Sequence, residues 1–271
     1  RDKVSAFENA DFIFIGLPTQ AVETVMKSTV LPNITKPAYF VNLSKGLDYI
    51  TVNSISEKLE TIIPSRYNLG VAKLSGPSFA SELVQKSPTA LVAASRDDEL
   101  CGFIEKLFVE TPFIHIERSH DILGVEYSSI FKNSLAILLG MANGLGYKKN
   151  TLSIIFVNAL KEIRLLGEKM GIEDETILSY AGLGDLYLTG GSMKSRNYTV
   201  GNKIGKQNKM TKKVVQIFST IEGLKSVEFL QGIASHHQID LPLNTILYEI
   251  IYLGREPRES LNSYLSDFCA V

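Results

Sequence analysis

Cysteine, histidine and net charge are all scarce in this sequence. Only Cys101 and Cys269 occur among 271 residues, and they form no CxxC pair. That argues against a disulfide framework and suits reduced thiols in a cytosolic protein. The four histidines include no HExxH, and the adjacent pair His236-His237 would point to different sides of a helix, so no metal site is expected. The formal net charge is -1, which leaves no broad basic face for nucleic acid or anionic lipid. The most basic stretch holds Lys203, Lys206, Lys209, Lys212 and Lys213 among Gly, Gln and Asn, and reads as a solvated loop or helix rim. No run approaches the ~18 apolar residues of a membrane span, and no signal peptide is visible. No repeat or low-complexity tract occurs. The first residue is Arg1, not methionine, and the chain soon enters a buried-type strand, so an upstream segment is expected.

What is present fits a globular protein: 45% hydrophobic and 21% charged residues. At roughly 150 residues per domain, two domains are expected. Up to about residue 120, short apolar runs alternate with helical patterns. Strands are expected at Asp11–Leu17, Ala38–Leu43, Val71–Leu74, Thr89–Ala94 and Phe113–Ile116. Helices are expected from Thr19 as an N-cap to Thr29, at Ile55–Ile62, through Val84, and at Asp98–Phe108. Such alternation argues for a largely parallel sheet. From His120 only helical patterns remain. The first, Asp121–Leu145, is apolar on most sides. Thr151–Met170 follows with Thr151 as N-cap, then 173–188, 197–204, 221–236, 242–253 and 259–268. The fold class expected is therefore α/β plus all-α. A Rossmann-like sheet domain spans 1–119, incomplete at its N-terminus, and an all-helical domain spans 120–271.

Three groups of residues could carry chemistry. Lys132 shares its helical face with Val125, Ser128, Ser129, Leu135, Ala136 and Leu139. A lysine there is shielded from water, which would depress its pKa and suit acid-base work; snorkelling to the helix edge, or pairing with Glu126, is the alternative. In 181–197, two glycines precede Asp185, and Thr189 lies one turn further on. Ser195-Arg196-Asn197 then opens a helix, as a phosphate site or as a plain N-cap with a solvated arginine. Finally, Ser44-Lys45-Gly46 and Gly76-Pro77-Ser78-Phe79-Ala80 each follow a strand, where open parallel sheets bind ligands; each is also an ordinary loop. Glu222, in a first helical turn, reads most simply as tuning of the helix end.

Together, NLSKGLD (42–48), LSGPSFASE (74–82), GVEYSSIFKNSLAILLGMANGLG (124–146), NTLSIIFVNALKEIRLLGEKMG (150–171), AGLGDLYLTGGSMKSRN (181–197) and IEGLKSVEFL (221–230) resemble the bacterial NAD(P)-dependent glycerol-3-phosphate dehydrogenases, in family order. The resemblance implies a general acid/base at Lys132 and a substrate-binding lysine at Lys45. It implies Gly76, Ser78, Lys132, Asp185, Ser195, Arg196 and Asn197 near the substrate, and Lys45, Ala80, Arg196 and Glu222 near NAD or NADP. Asn133 and Thr189 match further polar positions. The implied reaction is reversible hydride transfer between dihydroxyacetone phosphate and sn-glycerol 3-phosphate, supplying phospholipid synthesis. The partner implied is a small molecule, with a homodimer as one allowed assembly. One departure stands out: the family opens with a strand and a GxGxxG-type turn, and this chain contains neither; GLGYKKN (144–150) follows a helix and is a turn. The competing readings are an inactive fragment or binding module, and a related two-domain hydroxy-acid dehydrogenase.

Overall fold

In the computed structural model, residues 3–46, 54–211, 214 and 222–270 are described. Five strands form one sheet in the order β1-β2-β3-β4-β5: Phe12–Ile15, Ala38–Asn42, Asn68–Ser75, Thr89–Ala94 and Ile114–Ser119. β1/β2, β2/β3 and β4/β5 pair in parallel, while β3 and β4 run antiparallel, with Leu74 opposite Ala93. The reversal has a local cause. Between β3 and β4 lies only a five-residue helix, Ala80–Val84, too little for the helical crossover that a parallel connection requires.

The helices of this half are α1 (Lys3–Phe7), α2 (Thr19–Val25), α3 (Ile55–Ile62), α4 (Ala80–Val84) and α5 (Asp98–Leu107). Strand periodicity sorts the core onto two faces. Ile13, Ile15, Phe40 and Val71 pack with Val22 and Met26 and with Ile55 and Leu59 of α3. Val41, Ala72, Leu74, Leu91 and Ala93 pack with Leu100 and Ile104 of α5. The start of α3 is fixed by a capping box, in which Ser54 Oγ accepts from Glu57 N–H and the Glu57 carboxylate accepts from Ser54 N–H.

After residue 120 come α6 (Ile122–Gly144), α7 (Lys149–Met170), α8 (Asp174–Leu178), α9 (Asp185–Gly190), α10 (Arg196–Gln207), α11 (Glu222–His237), α12 (Pro242–Tyr252) and α13 (Pro257–Cys269). α6 is long and apolar enough to cross a membrane by length and composition alone, but it is almost wholly buried in the protein. The described residues divide into two compact units, 1–129 with 175–185, and 130–174 with 186–271. The first unit thus takes in the opening turns of α6 and a later excursion, in addition to the sheet.

Three local expectations are corrected. Thr19 is not an N-cap: Pro18 holds that position, and the Thr19 hydroxyl donates instead to the Lys45 carbonyl at 2.6 Å. Thr151 lies inside α7, whose N-cap is Lys148 without a side-chain cap. The single helix read over 173–188 is broken. After α8 the chain is extended at Ser179, whose Oγ caps a wide helical turn at Tyr180–Gly184 that runs directly into α9 at Asp185.

Candidate functional site

In the sheet unit, two turns follow strand ends. Ser44-Lys45-Gly46 leaves β2 and is pinned from several sides. Ser44 N–H donates to Asn42 Oδ1 at 2.8 Å, Ser44 Oγ donates to Ile15 O at 3.3 Å, and Leu17 N–H donates to Ser44 Oγ at 3.3 Å. Lys45 itself is exposed. The second turn leaves β3 at Gly76, whose φ of +153° and tight surroundings demand glycine: a Cβ would sit 2.8 Å from Ala90 O. Ser78 Oγ donates to Gly76 O at 3.2 Å, and Ala80 is the first residue of α4. Asp185, last residue of this unit, is 1% exposed and engaged within the protein.

In the helical unit, Lys132 is 2% exposed and also engaged within the protein. At that exposure it does not snorkel. The Glu126 carboxylate accepts from Asn42 and Ser56. Val125, Ser128, Ser129, Leu135, Ala136 and Leu139, the face predicted to surround Lys132, are all buried.

The next residue, Asn133, accepts a hydrogen bond at its Oδ1 from Asn197 Nδ2 at 2.7 Å. Asn197 lies in the first turn of α10. Ser195 caps that helix through its Oγ, which accepts from Tyr198 N–H at 3.3 Å, and Arg196 is exposed beside it. Asn197 Oδ1 is buried and has no hydrogen-bond partner among the described residues. Across from it stands Gly223, near the start of α11, where any side chain would collide with that oxygen.

Two helices can come this close because of what they lack. Gly140 and Gly144 of α6 lie against the backbone carbonyls of Tyr198 and Asn202, and Gly201 and Gly205 of α10 lie against those of Ile137 and Met141. Glycines four apart share a helical face, so the two backbones nearly touch, as at small-residue helix crossings. Asn202 Nδ2 donates to Asn143 Oδ1 at 3.0 Å and reinforces the contact.

The structure therefore gathers Lys132, Asn133, Ser195, Arg196 and Asn197 within one unit, with the start of α11 beside Asn197. Lys45, Gly76, Ser78, Ala80 and Asp185 belong to the other. Glu222 opens α11, and its side chain lies outside the described residues, as do Lys212 and Lys213; Lys203, Lys206 and Lys209 are exposed. Thr189 sits in α9, its hydroxyl donating to Leu186 O at 3.4 Å. Sequence reasoning missed the link from Asn133 to Asn197, and it missed Lys73, a lysine 1% exposed in β3. A lone charge inside the apolar run VAKL was the available signal for the latter.

Lys45 and Arg196 are exposed cations, and neither side chain is engaged by another described residue. An ammonium and a guanidinium so placed suit phosphate oxygens. Among the described residues, no cluster of three or more His, Cys, Asp or Glu could hold a metal.

Family models for the N-terminus and the C-terminus of NAD-dependent glycerol-3-phosphate dehydrogenase match residues 1–101 and 121–262. A Staphylococcus aureus (strain COL) protein named glycerol-3-phosphate dehydrogenase, NAD(P)+, is 32% identical over 264 residues, which is 97% of this chain and 79% of that protein. A crystal structure of glycerol-3-phosphate dehydrogenase from Coxiella burnetii superposes with a TM-score of 0.84 at 28% identity, over 97% of this chain and 79% of that one. The Plasmodium falciparum glycerol-3-phosphate dehydrogenase structure, at 20% identity and TM-score 0.85 over 97% and 75% of the two chains, shares the fold.

Proposed function

We infer function from this premise: the chain belongs to the NAD-dependent glycerol-3-phosphate dehydrogenase family. We propose that it interconverts dihydroxyacetone phosphate and sn-glycerol 3-phosphate, and that in the reducing direction its product supplies phospholipid synthesis. The observation that carries this reading is the Asn133–Asn197 hydrogen bond, which ties the turn bearing Lys132 to the helix start bearing Ser195 and Arg196.

The donor set fits a phosphorylated substrate and a dinucleotide. Lys45, Ala80, Arg196 and Glu222 are the residues that would hold the dinucleotide, through two cations, a backbone turn and a helix start. When bound, NADH or NADPH supplies the hydride. Everything else is work for the chain. Lys132 donates a proton to the oxygen of the central carbon as the alkoxide forms, and takes it back in the reverse direction. Its burial among serines, alanines and leucines keeps that proton from exchanging freely with bulk water. Asp185 orients the reacting hydroxyl or the lysine. Arg196 grips the phosphate with charge-assisted hydrogen bonds at the N-terminus of a twelve-residue helix, where the macrodipole also favours an anion. Lys45, Gly76 and Ser78 complete the substrate contacts from the strand ends.

An absorbance assay tests the reading. Oxidation of NADH or NADPH dependent on dihydroxyacetone phosphate is the expected result, and no turnover with either cofactor would overturn it.

A further inference from the structure

Beneath the Ser44–Gly46 turn lies a buried polar network that the reaction above does not use. Lys73, towards the C-terminal end of β3, is 1% exposed, and its ammonium donates to the Ser44 carbonyl at 2.5 Å. Glu126, on the opening turns of α6, is also 1% exposed. One of its oxygens accepts from Asn42 Nδ2 at 2.6 Å, from Ser56 Oγ at 2.9 Å and from Ser56 N–H at 3.2 Å. Asn42 then closes the circuit, accepting from Ser44 N–H at 2.8 Å. All these residues belong to the sheet unit. Burial pushes the Glu126 carboxyl up, and the nearby Lys73 charge opposes that rise.

A buried pair of opposite charges is a poor way to gain stability, since well-packed apolar residues do as well or better. What it supplies that a leucine cannot is direction. Ser44 is held at both ends, its N–H through Asn42 and Glu126, its carbonyl directly by Lys73. That carbonyl belongs to the Ser44–Lys45 peptide, and the Lys45 carbonyl beyond it is held by Thr19. With both flanking peptide planes fixed, the direction in which the Lys45 side chain leaves the backbone is fixed as well.

We propose that Lys73 and Glu126 are positioning residues: they lock the Ser44–Lys45 peptide and so aim the Lys45 ammonium at the phosphorylated substrate. This rests on the substrate role given to Lys45 above. Lys73→Met alone strands a buried carboxylate and endangers folding, so the decisive variant removes both charges together, Lys73→Met with Glu126→Gln. That variant is expected to melt near wild type. Its KM for dihydroxyacetone phosphate should nevertheless rise about tenfold, the loss of one charge-assisted contact, with kcat within about threefold. Adding Lys45→Ala should then raise KM no further than Lys45→Ala does alone, because residues acting through one another are not additive. Amide exchange at Leu17 and Ser44, read without substrate, should quicken in the double variant. An unchanged KM, multiplicative effects with Lys45→Ala, or unchanged exchange in an active enzyme would each overturn the positioning role. A wild-type enzyme that does not turn over the substrate would instead bring down the functional reading, and this inference with it.

Discussion

Lys132 and Arg196 occupy opposite environments, one 2% exposed and the other open to solvent, and their substitution should fail in different ways. Lys132→Ala is expected to lower kcat by a factor on the order of 10² to 10⁴, the range for a general acid-base group, with cofactor affinity little changed. Steady-state kinetics and a cofactor titration check it; turnover within a few-fold of wild type would remove the role. Arg196→Ala should leave the fold intact and cost about 1.5–3 kcal/mol of substrate binding, felt by dihydroxyacetone phosphate and not by unphosphorylated dihydroxyacetone. Equal losses on the two would show that Arg196 does not read phosphate. At this scale the sequence was legible wherever a residue's role depends on neighbours one helical turn away. The burial of the Lys132 face and the Ser195 cap are of that kind. It was illegible where a side chain reaches across the fold. Thr19 has the right type for an N-cap, yet its hydroxyl is used on Lys45, twenty-six residues on. Lys73 of β3 and Glu126 of α6 feel each other's charge although they lie far apart in the sequence.

At the scale of elements, the contact between α6 and α10 reverses an ordinary rule. Alanine for glycine inside a helix usually gains about 1 kcal/mol. At Gly140 or Gly201 the added methyl would meet a carbonyl oxygen of the facing helix, so either change to alanine should instead destabilise by about 1–3 kcal/mol, the usual cost of overpacking. Urea midpoints decide it, and a stabilised variant would mean that the helices do not touch there. A second element carries a pH dependence. Glu162 of α7 caps the start of α12, accepting from Leu243 N–H at 2.7 Å and Asn244 N–H at 3.3 Å. Burial, with Asp240 adding to it, pushes its carboxyl up from 4.5 to about 7 despite those two donors. The folded value lies above the unfolded one, so this group's contribution is full below about pH 4.5 and is lost as pH rises through about 7. Glu162→Gln should flatten the fall in denaturant midpoint between about pH 5 and 8; an unaltered slope would assign it elsewhere. Sequence patterning located nearly every described element, because short apolar strand runs and helices of this length leave strong signals. It failed over 173–188, where the helix breaks at Ser179, an extended residue whose hydroxyl caps the turn that follows. It also could not supply the antiparallel β3/β4 pairing, which depends on how little helix the connection contains.

At the scale of the molecule, the division between the units falls inside α6, between Ser129 and Ile130. Neither side can unfold without fraying a helix that the other also uses, and fraying a helix interior forfeits its hydrogen bonds cooperatively. Calorimetry is therefore expected to show one unfolding transition. Two well-separated ones would mean that each unit holds its share of the helix unaided.

The path of the chain has a consequence for heredity as well as for melting. The chain passes from one unit to the other at 129/130, returns at 174/175 and leaves again at 185/186, with Asp185 the last residue before the final passage. A gene encoding such a protein cannot be cut once and reassembled from halves of different parents without mixing both units. A crossover near residue 120 would transplant the sheet but leave 175–185 behind, including the wide turn that packs Ala181 against Val92 and Ala94 of β4. Chimeras between relatives should thus tolerate junctions only when the short excursion travels with its sheet. In evolutionary terms the two halves are bound to descend together.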